Sequence, residues 1–362
     1  MTRFASHLQD HAIQNPFQGM VRLEQKLGHV ICERLGSNES QPLVNPALQA
    51  LLGPEATDLA RLYPDPYATV LRKLAANLNQ VSPDQVLFDS GADSLIFLAL
   101  RLFCNVGDSV VTSAGSYPTF RYFAEGCGTR VLEVSLSESS DNGLEVDLGG
   151  LACAAHQHKA RLVYLANPDN PTGHYHSHTE IERFRLSLPS DSILLLDEAY
   201  LEFTSPDPVR SIALTNTIRL RTLSKAYALA GLRIGYAIAP ADIIAKADEI
   251  RPQFALSGLA QAAGQLALSA QTEVMRLLKT TINLRETLRA RLIERGLIVL
   301  PSWTNFLSIR YPDSADSEAV QRQLFNQGIA VHRPIHPAVS QLLRVTVHPF
   351  ALTDTVIDTL AA

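Results

Sequence analysis

Lys225 follows a strand-like run, "TIRLRTL" (217–223), and opens the mostly small, apolar segment "SKAYALAGLR". A buried ammonium is costly unless it is paired or loses its charge. A lysine at this place therefore suggests an amine that reacts. Three other strand-like runs end on polar groups in the same way. "VYLA" runs into "NPDNPTG" (167–173), "ILLL" into "DEAY" (197–200), and "VLFDS" into "GADS" (91–94), which opens a helix. Taken singly, each has a plain structural explanation. Gly91 to Ser94 can be a turn with a good helix start, Asp197 a capping carboxylate, and Asn170–Pro171 an ordinary turn. Lys225 can snorkel to solvent, and Arg233 can be a surface ion-pair residue.

Together they supply the four contacts that pyridoxal phosphate needs. Lys225 can form a Schiff base with its aldehyde. Asp197 can keep the ring nitrogen protonated, so that the ring accepts the electrons of a substrate carbanion. Asn170 and Tyr200 can donate to the ring oxygen. Ala92, Asp93 and Ser94 at the helix start, with Thr222, Ser224 and Arg233, can hold the phosphate.

The elements that must position these groups are legible. Helical patterns alternate with short apolar runs at 86–91, 109–113, 130–136, 161–166, 192–200, 217–223 and 233–239. Continuous apolar runs are expected of strands buried on both faces, so the pattern predicts an α/β fold with a mostly parallel sheet between helices. Ligands of such sheets bind beyond the carboxyl ends of the strands, which is where the polar groups fall. The C-terminal third reads as a smaller α+β unit, led by a long amphipathic helix over 272–296 that Gly296 stops.

The chain has 362 residues, 46% hydrophobic and 19% charged, with net charge −5. This is the composition of a soluble globular protein of about two domains. The charge balance gives no sign of a nucleic-acid or membrane surface. Four cysteines without a CxxC pair read as reduced, mostly buried thiols of a cytoplasmic protein. The polar N-terminus lacks the apolar core of a signal peptide, and no run approaches the roughly 20 apolar residues that span a bilayer. "HYHSH" (174–178) places three imidazoles close together, but Ser177 and Glu180 make a capping box. We read this stretch as a solvated helix start rather than a metal site, and "HQH" (156–158) as surface.

The ordered set "NPTG", "DEAY" and "TLSKAYALAGLRIGY" resembles the fold-type I aminotransferases. The match is closest to the histidinol-phosphate aminotransferase family. It extends through "LGSNES", "LYPDP", "LFDSGADSLIFLALRLFC", "SYPTFRYFAEGCG", "TNFLSIRY" and "LLRVTVH", nearly the whole chain. The resemblance implies a large cofactor domain over 41–260 with a seven-stranded sheet, a small domain over 261–362, and an N-terminal segment, 1–40, packing on the small domain and on a partner subunit.

It also implies roles that spacing does not give. Tyr117 resembles the aromatic residue that stacks on the cofactor ring. Tyr63 resembles the tyrosine that reaches the phosphate of the other subunit of a homodimer. Asn38 resembles a substrate-segment asparagine, and Arg344 the arginine that forks onto the substrate's acidic group. The Asn170–Pro171 bond is expected to be cis.

Three positions depart from the family pattern. Phe17 stands where a tyrosine is usual. His332 stands at the usual second arginine, with Arg333 one place late, and Ser94 replaces a glutamate. The implied reaction moves an amino group between an amino donor, L-histidinol phosphate or a related amino acid, and a 2-oxo acid such as 2-oxoglutarate. Aminotransfer from an aromatic or other amino acid remains open. So does a decarboxylase or lyase with the same cofactor residues. A ligand-sensing regulator would need a DNA-binding module for which the chain has no spare length.

Overall fold

The computed structural model describes residues 5–9, 13, 15–16, 19–42, 46–51, 55–139, 143–204 and 215–362. Phe17 therefore lies outside the described residues.

Seven strands form the central sheet: β1 (Val86–Asp89), β2 (Ser109–Ser113), β3 (Arg130–Val134), β4 (Leu162–Ala166), β5 (Ile193–Asp197), β6 (Thr217–Thr222) and β7 (Gly235–Ile238). Their order is β1-β7-β6-β5-β4-β2-β3. β7 pairs antiparallel with β1 and β6, and the other neighbours pair parallel. The two faces of β5 enter different cores, as its continuous apolar sequence requires. Ile193 and Leu195 pack beneath α1 (Gly91–Phe103) and α2 (Pro118–Gly126), while Leu194 and Leu196 face α3 (Leu148–Gln157) and α4 (His178–Ser187).

A second, three-stranded antiparallel sheet has the order β8 (Ile298–Val299), β9 (Phe306–Arg310) and β10 (Leu342–Thr346). Its core includes Leu307, Ile309, Leu343 and Val345. The 24-residue α5 (Gln271–Glu294) joins the two parts. Val274 and Leu278 at its start pack into a core of the large sheet, and Leu288 and Leu292 at its end pack into the core of the small one. Residues Glu33–Arg34 pair in parallel with Ile329–Ala330, which ties the N-terminal segment to this small unit.

Two expectations need correction. The cysteines are unpaired, but none is buried: Cys32 and Cys153 are exposed, and Cys104 and Cys127 are partly covered. Ser177 and Glu180 do form the capping box of α4. Yet His176, just before it, is buried rather than solvated, and burial lowers its pKa to about 4. Among the described residues no group of histidines, cysteines and carboxylates is arranged to hold a metal ion.

Candidate active site

The polar strand ends converge, and two networks meet around Lys225. In the first, Lys225 Nζ donates to the carbonyls of Ser37 and Asn38, both at 3.1 Å. Burial lowers its pKa to about 7, and the cation of Arg344 pushes in the same direction. A large fraction of this amine is therefore neutral near pH 7. Asn38 is buried in the left-handed conformation (φ +53°), which asparagine tolerates better than most residues. Its Nδ2 donates to Tyr200 Oη at 2.9 Å, which leaves the phenol proton free to donate elsewhere.

Arg344 Nη1 donates to Asn170 Oδ1, and Nη2 to the carbonyl of Gly36 at 2.7 Å. A guanidinium only donates, so the contact fixes the oxygen of Asn170 on Arg344 and turns its NH2 the other way. The guanidinium also lies 5.2 Å from the Phe306 ring centre. The segment carrying Asn170 is held by both parts of the fold. Asp169 accepts from Ser116 Oγ and from the hydroxyl and amide of Thr172. Ser308 Oγ donates to the carbonyl of Pro171, and Trp303 N to that of Gly173. The Asn170–Pro171 bond is cis, as expected, and so is Asn167–Pro168, which the sequence did not suggest.

The second network surrounds Asp197, at the end of β5. Its Oδ2 accepts from Tyr164 Oη at 2.8 Å, and its Oδ1 from the Ala199 amide at 3.1 Å. Burial raises its pKa to about 6, against the pull of those two bonds, and Asp93 and Glu198 add repulsion. Tyr117 Oη donates to Asp93 Oδ1 at 2.9 Å, and Arg233 Nη2 reaches Asp93 Oδ2 at 3.3 Å. Arg233 Nη1 meets Ser224 Oγ at 3.3 Å, and Thr222 Oγ1 bonds Ser224 Oγ at 2.9 Å.

The start of α1 fits an anion. Ser90 occupies the cap position but makes no side-chain cap bond, so its first amides are left for another acceptor. Gly91 has φ +82°, and a Cβ there would fall 2.7 Å from Arg233 Nη2. A Cβ on Gly235 would fall 2.5 Å from the Gly91 carbonyl carbon. Both glycines therefore permit the close approach of helix start, strand and arginine. The residues present fit pyridoxal phosphate: a buried carboxylate for a ring cation, a half-neutral amine, and a cradle for a phosphate.

The match to known proteins decides the family. The profile of the aminotransferase class I and II family covers residues 31–361. The chain belongs to this family. It is 34% identical to histidinol-phosphate aminotransferase 2 of Carboxydothermus hydrogenoformans over 92% of this chain and 91% of that protein. It is 32% identical to the histidinol-phosphate aminotransferase of Geobacillus thermodenitrificans over 96% and 94%. The crystal structure of histidinol-phosphate aminotransferase from Sinorhizobium meliloti in complex with pyridoxal-5'-phosphate superposes with TM-score 0.89 at 33% identity, covering 100% of this chain and 96% of that one. The protein is a pyridoxal-phosphate-dependent aminotransferase of fold type I.

Not every expected residue of the aminotransferase joins the networks. Ser94 turns inward, its hydroxyl bonded to Asp89 Oδ1, so at the helix start only its amide is left to serve an anion. Tyr63 is 85% exposed, its ring against Phe254, away from this chain's own networks. His332 pairs with Arg344 across an antiparallel bridge, which puts the two side chains on one face. Arg333 then projects to the other face, where its guanidinium meets Glu318 and the Ser340 carbonyl, both at 3.5 Å. Arg333, expected from sequence at the substrate end, is therefore not brought together with Arg344. Burial and the neighbouring Arg344 and Arg333 lower the His332 pKa to about 3, so the ring is neutral.

Several residues of the networks were missed from sequence. Asn305 Nδ2 donates to the Asn38 carbonyl at 3.1 Å, Thr346 Oγ1 accepts from Asn38 N at 3.0 Å, and Ser40 Oγ donates to the Lys225 carbonyl at 2.7 Å. Tyr164 sits inside an apolar strand run, and nothing in its spacing marks its hydroxyl as a partner of Asp197.

Proposed function

We propose that Lys225 is the catalytic residue of the aminotransferase and that the two networks divide the remaining work. Bound pyridoxal phosphate supplies an electron-accepting ring. Asp197 would face the ring nitrogen, and Asn170 and Tyr200 would donate to the ring oxygen. Tyr117 would lie against the ring. The amides of Ala92, Asp93 and Ser94, with Thr222, Ser224 and Arg233, would hold the phosphate. The observation that carries this reading is the placement of Lys225, with Nζ on the carbonyls of Ser37 and Asn38 and 5.9 Å from the Tyr200 ring centre, where burial lowers its pKa to about 7. A neutral amine can attack a carbonyl carbon, and it can take a proton from the substrate's α-carbon and return it at the acceptor position. Arg344 would grip the substrate's acidic group, with Asn38 closing that end of the site.

The donor we propose is L-histidinol phosphate, with a 2-oxo acid such as 2-oxoglutarate as acceptor, in keeping with the names of the relatives. One observation favours a second reading, in which the donor is an aromatic or other amino acid held by its carboxylate. Among the described residues at the bridge, Arg344 has no second guanidinium beside it, because Arg333 is turned to Glu318 and His332 is uncharged. A single arginine suits a carboxylate better than a phosphate dianion. Comparing kcat/KM for histidinol phosphate and phenylalanine, each with 2-oxoglutarate, separates the two. Identification of the products tests both against decarboxylation. Values for histidinol phosphate well above those for phenylalanine support the first reading, and the reverse order overturns it.

The reading includes a homodimer with shared sites, for which the exposed Leu62, Tyr63, Tyr67 and Phe254 offer an apolar surface. It also includes division into a segment 1–40, a cofactor domain 41–260 and a small domain 261–362. Unpaired cysteines support a cytoplasmic location.

A further inference from the structure

Four charged side chains lie under the site, none more than 4% exposed. Arg219 forks onto Glu198, with Nε to Oε2 at 2.9 Å and Nη2 to Oε1 at 3.1 Å. Arg221 Nη1 reaches Glu198 Oε2 at 3.3 Å, and its Nη2 reaches Glu202 Oε1 at 2.9 Å. The quartet is neutral as a whole. Its members sit on the strand ends that carry the chemistry. Glu198 follows Asp197, and its amide donates to the Leu220 carbonyl of β6 at 2.9 Å. Arg219 and Arg221 alternate with Leu220 and Thr222, so they occupy the face of the sheet opposite to the Thr222 side chain. Glu202 lies in the turn that follows Tyr200.

A buried ion pair is weak grounds for stability, because desolvation offsets most of its attraction. A Leu or Val at these positions would pack the sheet as well. What the quartet does provide is a fixed charge pattern next to Asp197. Glu198 is the charged residue next to Asp197 in sequence and repels its carboxylate. The other titratable groups near Asp197 are the hydroxyl of Tyr164, the carboxylate of Asp93, and the phenols of Tyr117 and Tyr200, and the Ala199 amide donates to it. Asp93 is already compensated by Arg233 and Tyr117. Glu198 is compensated from the far face of the sheet, by Arg219 and Arg221.

We propose that Arg219, Glu198, Arg221 and Glu202 form a positioning device: it locks the ends of β5 and β6 together, and its two arginines screen Asp197 from the charge of Glu198, so that Asp197 stays anionic toward a ring cation. This rests on the reading that Asp197 faces the cofactor's ring nitrogen.

The test is cofactor retention against pH. Holoprotein is dialysed between pH 4.5 and 8 against a fixed, limiting concentration of pyridoxal phosphate. Retained cofactor is read by absorbance, and thermal unfolding is followed alongside. Arg219→Met removes the forked contact and leaves Glu198 with Arg221 alone, at 3.3 Å. The acid midpoint of retention should rise by about one pH unit, the size expected of a nearby charge. Glu198→Gln removes the repulsion, and its midpoint should fall. The pair Glu198→Gln with Arg219→Met should return toward wild type. Midpoints that stay put while melting temperature falls would reduce the quartet to a structural role and overturn the proposal. Should Arg219→Met fail to fold, Glu198→Gln decides alone, and an unmoved or raised midpoint overturns it. Asp197→Asn keeps the underlying reading separate: normal retention across the whole range would mean that Asp197 does not face the ring, whatever the quartet does.

Discussion

Replacing Asp197 by Asn should stabilise the cofactor-free protein while weakening its hold on the cofactor. Asp197 is 5% exposed, and no ion pair involves it among the described residues. Folding raises its pKa from 3.8 to about 6. The folded chain therefore holds a proton that the unfolded chain releases between those values. Stability falls as pH rises through this window, and the loss is complete above about pH 6. The shift of about 2 units, at about 1.4 kcal/mol each, amounts to about 3 kcal/mol. Asn is the neutral isostere. Its oxygen can accept from Ala199, and its NH2 can donate to the Tyr164 hydroxyl, which rotates to accept. For a chain of this length, about 3 kcal/mol corresponds to about 4 °C in melting temperature. The assay is thermal unfolding of the cofactor-free protein, wild type against Asp197→Asn. The variant should gain about 4 °C at pH 8. At pH 4.5, where the wild-type carboxyl is mostly protonated, the gain should shrink to about 1 kcal/mol, or about 1 °C. An equal gain at both pH values, or a loss at pH 8, would refute the argument that an uncompensated charge is stored at this residue. The same variant should release pyridoxal phosphate more readily, because an amide cannot balance a ring cation.

Lys225→Ala should abolish amino transfer, measured as 2-oxo acid formed from any donor, with unfolding temperature close to wild type; retained turnover would remove Lys225 from the chemistry. Mixing Lys225→Ala chains with Tyr63→Phe chains should recover activity, because a heterodimer has one site with both lesions and one with neither. No recovery in a verified heterodimer would mean self-contained sites. His332→Arg adds a permanent cation beside Arg344. It should raise kcat/KM for a phosphorylated donor relative to a carboxylate donor by about tenfold, the effect of one charge-assisted contact of about 1.5 kcal/mol; an unchanged ratio would make His332 a packing residue.

The local signals were enough for the sheet and for the polar groups that gather at its edge. Apolar runs of five or so residues bounded by turn residues fit strands of a sheet covered on both faces. The polar residues after Ala166, Leu196, Leu223 and Ser90 then had to emerge along one edge, because parallel strands end on the same side. Lys225, Asp197 and Asn170 were legible for that reason: each is a polar side chain placed where an apolar run stops. The resemblance added Asn38 and Arg344, which lie more than 300 residues apart and meet through Thr346 and Gly36.

Contacts that depend on which face a residue takes were beyond the sequence. His332 and Arg333 are neighbours in the chain, and only the bridge to Arg344 decides that the histidine shares its face while the arginine turns to Glu318. Tyr164 looks like one more apolar strand residue until β4 is set beside β5 and its hydroxyl falls on Asp197. Arg219 and Arg221 look like interruptions of a strand until Glu198 and Glu202 close on them from the next strand end. The shifted pKa values of Lys225 and Asp197 belong to the same class, since burial and nearby charge exist only once the chain is packed. The sequence by itself determined which chemical groups are present and the order in which the strands deliver them. The tertiary structure decided their charge states and their partners, because these depend on distances between residues that the chain keeps far apart.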